Sequence, residues 1–109
     1  MALAMDRVPP VLILACYDPR EGVEPWPSIY PAVQNLMLAA WSFGLGTVLT
    51  TGMRRVEPEI RELLGIPPHV LIAAFIPMGY PARPYGPPKR RPLREVTFLE
   101  RWGNPATWP

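Results

Sequence analysis

Side chains able to do chemistry are few and scattered in this chain of 109 residues. The single histidine, His69, follows Pro67-Pro68 with no second metal ligand beside it, so a surface or capping role outweighs that of base or ligand. Cys16, the one cysteine, sits inside the apolar run VLILACY and reads as a small buried residue, not an activated thiol. Glu57, Glu59 and Glu62 make an acidic helix face best explained by solvation. Arg54-Arg55 reads as a solvated turn, with the phosphates of a nicotinamide cofactor as the weaker alternative.

Two features are left. One is Thr50-Thr51-Gly52, where main chain can approach a flat ligand closely because glycine has no Cβ; its plain alternative is a strand end and a turn. The other is Lys89-Arg90-Arg91, set among prolines, where an ammonium and a guanidinium can grip a phosphate. Its plain alternative is solvated surface. With no nucleophile–base pair of its own, a chain of this kind does chemistry only through a bound cofactor that it positions.

The elements that must do this positioning follow from apolar pattern and breakers. Residues 11–17 form a short continuous apolar run between Pro9-Pro10 and Asp18-Pro19, predicting a strand buried on both faces. Residues 18–27 read as a polar loop. Ser28 is the predicted N-cap of a helix over about 28–44, with Pro31 near its start. That helix is apolar nearly all round, which calls for burial on all sides and hence for a partner subunit or a further domain. Gly44 and Gly46 end it, one of them in the left-handed conformation. The β-branched run 47–51 predicts a strand, Glu57-Pro58-Glu59 opens a second helix, and 70–78 predicts a second buried strand. Beyond residue 80 the prolines preclude regular structure, with 94–99 as a possible last strand. The chain therefore divides into a core of about 11–79 and a Pro-rich basic arm of about 80–109.

Charge is unevenly placed. The net charge of +2 hides an acidic first part, through Gly79, and a basic arm carrying Arg83, Lys89, Arg90, Arg91, Arg94 and Arg101 against Glu95 and Glu100. Such an arm points to an anion. A nucleic acid needs a broader basic surface with stacking aromatics, so it is not the expected partner. The longest nearly apolar run, 36–49, is shorter than the roughly 20 residues a membrane span needs and contains two glycines. A lone cysteine and the absence of a signal-peptide pattern make a soluble cytoplasmic protein the expectation.

Taken together, QNLMLAAWSFGLGTVLTTG (34–52), EIRELLGIP (59–67), IPMGYP (76–81) and KRRPLREV (89–96) resemble the C-terminal half of the FMN-dependent nitroreductase family. The order and spacing of the four segments carry the resemblance, which runs from about residue 11 to 102. It implies an α+β fold, nitroreductase-like, with a partial antiparallel sheet flanked by helices and a central buried helix at about 28–44. It further implies a homodimer with FMN at the interface. Leu49, Thr50, Thr51 and Gly52 would approach the flavin ring near N5 and O4 with their main chain, and Lys89 and Arg91 would hold its phosphate. NAD(P)H would be the electron donor, and a nitroaromatic, quinone or activated alkene the small-molecule acceptor. Family members are about twice as long, and residues 1–27 hold nothing like their Arg-x-Ser-x-Arg phosphate motif. A chain needing a complementary N-terminal half is therefore the alternative to a self-sufficient flavoenzyme. A third reading makes the arm a polyproline II ligand.

Overall fold

The computed structural model describes residues 8–19 and 24–107. Its elements in chain order are β1 (Val11–Tyr17), α1 (Pro25–Ser42), β2 (Gly46–Thr47), a 3-10 turn (Gly52–Val56), α2 (Glu57–Leu64), β3 (Leu71–Gly79) and a second 3-10 turn (Leu93–Glu95). The strands form one antiparallel sheet in the order β1-β3-β2, so β3 is paired on both edges. The residues expected at 1–7, in part of the 18–27 loop (20–23), and at Trp108 lie outside the described residues.

β3 is the strand expected from its apolar run, and six consecutive residues from Ile72 to Pro77 are buried. β1 differs from expectation. It is an outer strand with Val11, Leu12 and Cys16 exposed, because only one of its edges and part of one face are covered. Its register to β3 shifts between Ala15 and Cys16, which leaves Ala73 without an opposite residue.

α1 begins three residues before Ser28. Glu24 holds the cap position without a side-chain cap bond, and Pro25 opens the helix with a φ already suited to it. Pro31 therefore lies inside the helix and leaves one rung unmade, on a turn whose residues are mostly exposed. Phe43 ends the helix, not Gly44. Gly44 follows at φ 76°, and Leu45 N–H closes back on the Ala40 carbonyl at 3.0 Å, a Schellman-type stop that a side chain would strain.

One stripe of α1 is buried. Val33 packs with Ala74 and Ile76 of β3, and Ile29, Leu36, Met37 and the β1 residues Ile13 and Ala15 close around them. Among the described residues much of the rest of the helix is left uncovered: Leu38 is 58% exposed and Phe43, at the C-cap, 78%. A three-stranded sheet offers α1 one face, so the all-round burial that its composition calls for is not met internally. Among the described residues, no helix is long and apolar enough to cross a membrane.

The opposite flank is tied by charge. Arg61 donates to Glu57 at 3.2 Å, to the Pro67 carbonyl at 3.1 Å and to the Val70 carbonyl at 2.7 Å, fastening α2 to the loop that enters β3. Arg54 donates to the other oxygen of Glu57 at 2.6 Å. Glu57 is thus a strut between two arginines, not the solvated face expected. The Arg54 hydrogen bond, helped by Arg61 and opposed by burial, holds the Glu57 carboxyl below its ordinary value of 4.5. A group depressed in the folded state stabilises above its unfolded value, and that contribution disappears as pH falls through the folded value. Glu57→Gln should therefore flatten the acid limb of a stability–pH profile, read by denaturant melts between neutral pH and pH 3. Arg61→Ala should lower stability at neutral pH by roughly 1–3 kcal/mol, since it removes charge-assisted bonds to two main-chain carbonyls.

Candidate functional site

The edge beside β3 is shaped by a proline. Gly46 and Thr47 pair with Gly79 and Met78, and Val48 N–H reaches the Pro77 carbonyl at 3.3 Å. Pro77 has no N–H to return, so the ladder breaks there. It resumes at Thr50, which exchanges both main-chain bonds with Phe75, at 2.9 and 3.3 Å. The strand expected over 47–51 is accordingly two residues of regular pairing, one half-made pair and one bridge.

This interruption decides what the edge presents. Antiparallel pairing alternates, so the N–H groups of Val48 and Thr50 face β3 while those of Leu49 and Thr51 face away from it. Thr50 N–H is consumed by Phe75 and cannot serve a ligand. Among the described residues, Thr51 N–H has no acceptor, and Thr51 is exposed. Thr50 Oγ1 accepts the N–H of Gly52 at 3.1 Å, and the Thr51 carbonyl accepts from Arg54 at 3.1 Å, so the corner is held by its own short bonds. A Cβ added at Gly52 would meet nothing nearer than Thr50 Oγ1 at 3.4 Å, an ordinary contact. Gly52 is thus not required by packing within the chain.

Arg54 sits behind this corner. Its guanidinium lies 5.4 Å from the centre of the Phe75 ring and donates to the Ala73 carbonyl at 3.4 Å. Tyr30 Oη of α1 donates to the same carbonyl at 3.0 Å. The Ala73 carbonyl is therefore satisfied by both Tyr30 and Arg54, and Arg54 is structural, not the solvated turn expected. Nothing in the sequence marks Tyr30 for this role, because which β3 carbonyl is left without a strand partner is decided by pairing.

Lys89 and Arg91 lie on the arm, both exposed. Arg91 pairs with Glu95 at 3.3 Å, and among the described residues neither cation bonds to Leu49–Gly52. The arm itself is anchored further back. Tyr85 stacks on Trp41 near the end of α1, with ring centres 4.9 Å apart and planes at 15°. A Cβ on Gly46 would fall on the Tyr85 hydroxyl, closer than any real Cβ contact, so this approach needs glycine. The last strand expected at 94–99 is a 3-10 turn followed by a lone Phe98–Pro105 bridge. His69 faces Asp18 at 3.8 Å across the exposed end of the sheet, a surface contact.

With this geometry the chain belongs to the nitroreductase family, whose model matches residues 3–80. A candidate NADH dehydrogenase/NAD(P)H nitroreductase of Methanothermobacter thermautotrophicus is 41% identical across 91% of this chain and 54% of its own length. A structure of the same description from Parabacteroides distasonis superposes with a TM-score of 0.70 at 29% identity, covering 84% of this chain and 55% of that one. Iodotyrosine deiodinase, solved with FMN and 3-iodo-L-tyrosine, gives a TM-score of 0.58 at 28% identity over 80% of this chain and 47% of its own. The chain spans about half the length of these proteins. The fold is the expected α+β nitroreductase fold in part, a small antiparallel sheet with helices.

The asymmetry at the edge is directly measurable. In hydrogen exchange followed by NMR, the Thr50 amide should be protected and the Thr51 amide should exchange at close to the open-chain rate. Equal protection at the two positions would contradict the alternation.

Proposed function

We propose that this chain is the flavin-edge part of an FMN-dependent NAD(P)H oxidoreductase. The observation that carries the proposal is the exposed main-chain corner Leu49–Gly52 in a nitroreductase-family chain, with Thr50 locked to Phe75 and the Thr51 N–H turned outward unused. Bound FMN would supply two-electron chemistry, taking hydride from NAD(P)H and passing it to a nitroaromatic, a quinone or an activated alkene.

The chain's own residues bind and orient. Thr51 N–H is the donor for the flavin edge, and Thr50 serves by holding that donor in place. Gly52 keeps the surface beside it open to a planar ring, and the exposed Leu49 side chain offers apolar contact. Lys89 and Arg91 hold the phosphate, with Arg91 exchanging Glu95 for a stronger dianionic partner. No side chain is needed as acid or base for hydride transfer itself. The exposed lone thiol at Cys16 fits a reducing setting such as the cytoplasm.

The uncovered apolar side of α1 and the half-length span favour a working form with a second copy of this chain or a complementary N-terminal half against α1. Flavin titration combined with a solution mass measurement tests both statements. FMN should bind and its absorbance bleach with NAD(P)H in the species that is larger than one chain. A monomer that binds FMN and turns over would remove the need for the partner, and no FMN binding at saturation in any assembled form would end the proposal.

Gly52→Ala separates ligand contact from folding. Its melting temperature should match the parent's, because the new Cβ meets only an ordinary contact, while FMN affinity should fall. Lys89→Ala with Arg91→Ala should weaken FMN by about 10- to 100-fold, the scale of lost charge-assisted phosphate bonds, and leave riboflavin binding unchanged.

A further inference from the structure

We infer that Tyr85 is a latch that positions the arm's cations relative to the Leu49–Gly52 corner. The inference rests on the assignment of Lys89 and Arg91 to the flavin phosphate and adds a residue which that assignment does not contain.

Three observations converge on Tyr85. Its ring is stacked on Trp41, in a chain segment whose prolines preclude helix and sheet bonding of its own. Its hydroxyl lies on the bare Cα of Gly46, and Pro81 of the same arm also comes within 3.3 Å of where a Gly46 Cβ would be. Gly46 opens the same edge segment that runs on to Leu49 and Gly52. The arm thus meets the core at Trp41 of α1 and at Gly46, the first residue of the segment that presents the Thr51 N–H.

Fastening Tyr85 constrains Lys89 because the link between them is short and stiff. Gly86 supplies one flexible joint, and Pro87-Pro88 then fix φ at two successive residues. A latched arm holds Lys89 and Arg91 within a limited volume before any anion arrives, and an unlatched one must be ordered on binding. The contact is aromatic and steric, not polar. The Tyr85 hydroxyl is buried, with no hydrogen-bond partner among the described residues, so removing the oxygen should leave the latch intact or tighten it.

The test compares FMN and riboflavin affinities, by equilibrium fluorescence titration, across Tyr85→Ala, Tyr85→Phe and Gly46→Ala in the assembled full chain. Tyr85→Ala should weaken FMN about tenfold, the order of cost for ordering a freed segment, with riboflavin unchanged. Tyr85→Phe should retain parental FMN affinity. Gly46→Ala keeps the aromatic ring but displaces it, and should reproduce the FMN-selective loss should Tyr85→Ala fail to fold. Adding Lys89→Ala and Arg91→Ala to Tyr85→Ala should cost less than it costs in the parent. Without any flavin, trypsin should cut after Lys89 and Arg90 faster in Tyr85→Ala than in the parent. FMN affinity unchanged in Tyr85→Ala and Gly46→Ala, while Lys89→Ala/Arg91→Ala weakens it, overturns the latch and leaves the phosphate assignment standing. FMN affinity unchanged in Lys89→Ala/Arg91→Ala overturns both.

Discussion

Phe75 is the residue through which the two halves of this structure are joined. Its main chain exchanges both bonds with Thr50 on one edge of β3, and it stands opposite Leu14 on the other. Its side chain is fully buried, with the Arg54 guanidinium against the ring. The neighbouring residues Ala74 and Ile76 point the other way and receive α1. Everything that positions the corner at Leu49–Gly52 passes through this strand, since the corner has a single two-way bridge to the sheet. Unpairing Thr50 would cost more than its own two bonds. It would also release the turn in which Thr50 Oγ1 and the Thr51 carbonyl hold Gly52 and Arg54.

Two irregularities in β3 explain most of what surrounds it. Pro77 removes one donor from the β2 side, which shortens β2 and leaves the following residues at the edge less fully committed to the sheet. On the β1 side Pro77 stands opposite Leu12 at a position whose N–H the ladder does not use, so the proline is tolerated in a strand paired on both edges. Ala73 has no strand partner on either edge of β3, and its carbonyl accepts from both Tyr30 of α1 and Arg54 of the 3-10 turn. Helix and turn are thereby tied to one main-chain oxygen, a polar link across the sheet where apolar packing alone would leave their relative position loose.

The balance of burial separates what this chain completes by itself from what it leaves open. Its sheet closes on one stripe of α1 and on the Arg54–Glu57–Arg61 group, and both contacts are well formed. Away from that stripe Leu38, Trp41 and the C-cap residue Phe43 stay exposed, apolar groups that the described residues of this chain leave open. Trp41 is only partly covered, by Tyr85 of the arm, and Trp102 only by Phe98. Among the described residues the Pro-rich stretch 81–91 makes no main-chain hydrogen bonds of its own, and the stacking of Tyr85 on Trp41 is the aromatic contact that places it on the core.

Much of the fold was legible from pattern alone. The uninterrupted apolar run of β3, the helical composition of α1, the Gly44 stop and the Glu57-Pro58-Glu59 start of α2 are local features, fixed by side-chain type and main-chain freedom within a few residues. The mismatch between an apolar α1 and a short chain was also visible, because it is a matter of counting surface. What escaped were consequences of pairing. Ser28 lost the cap to Glu24 because Pro25 could open the helix earlier. β1 is an outer strand with Cys16 exposed because only one of its edges is paired, and its apolar run alone does not distinguish it from a central strand. Glu57 and Arg54 proved structural because the 3-10 turn places Arg54 against the Ala73 carbonyl of β3 and α2 sets Glu57 between Arg54 and Arg61. At the corner, residue types alone dictate that Thr50-Thr51-Gly52 offers backbone and little side-chain chemistry. Which amide is free depends on strand pairing. The register against Pro77 and Phe75 consumes the Thr50 N–H and turns the Thr51 N–H outward, and a hydrogen bond between segments 25 residues apart in the chain is invisible until both strands are paired.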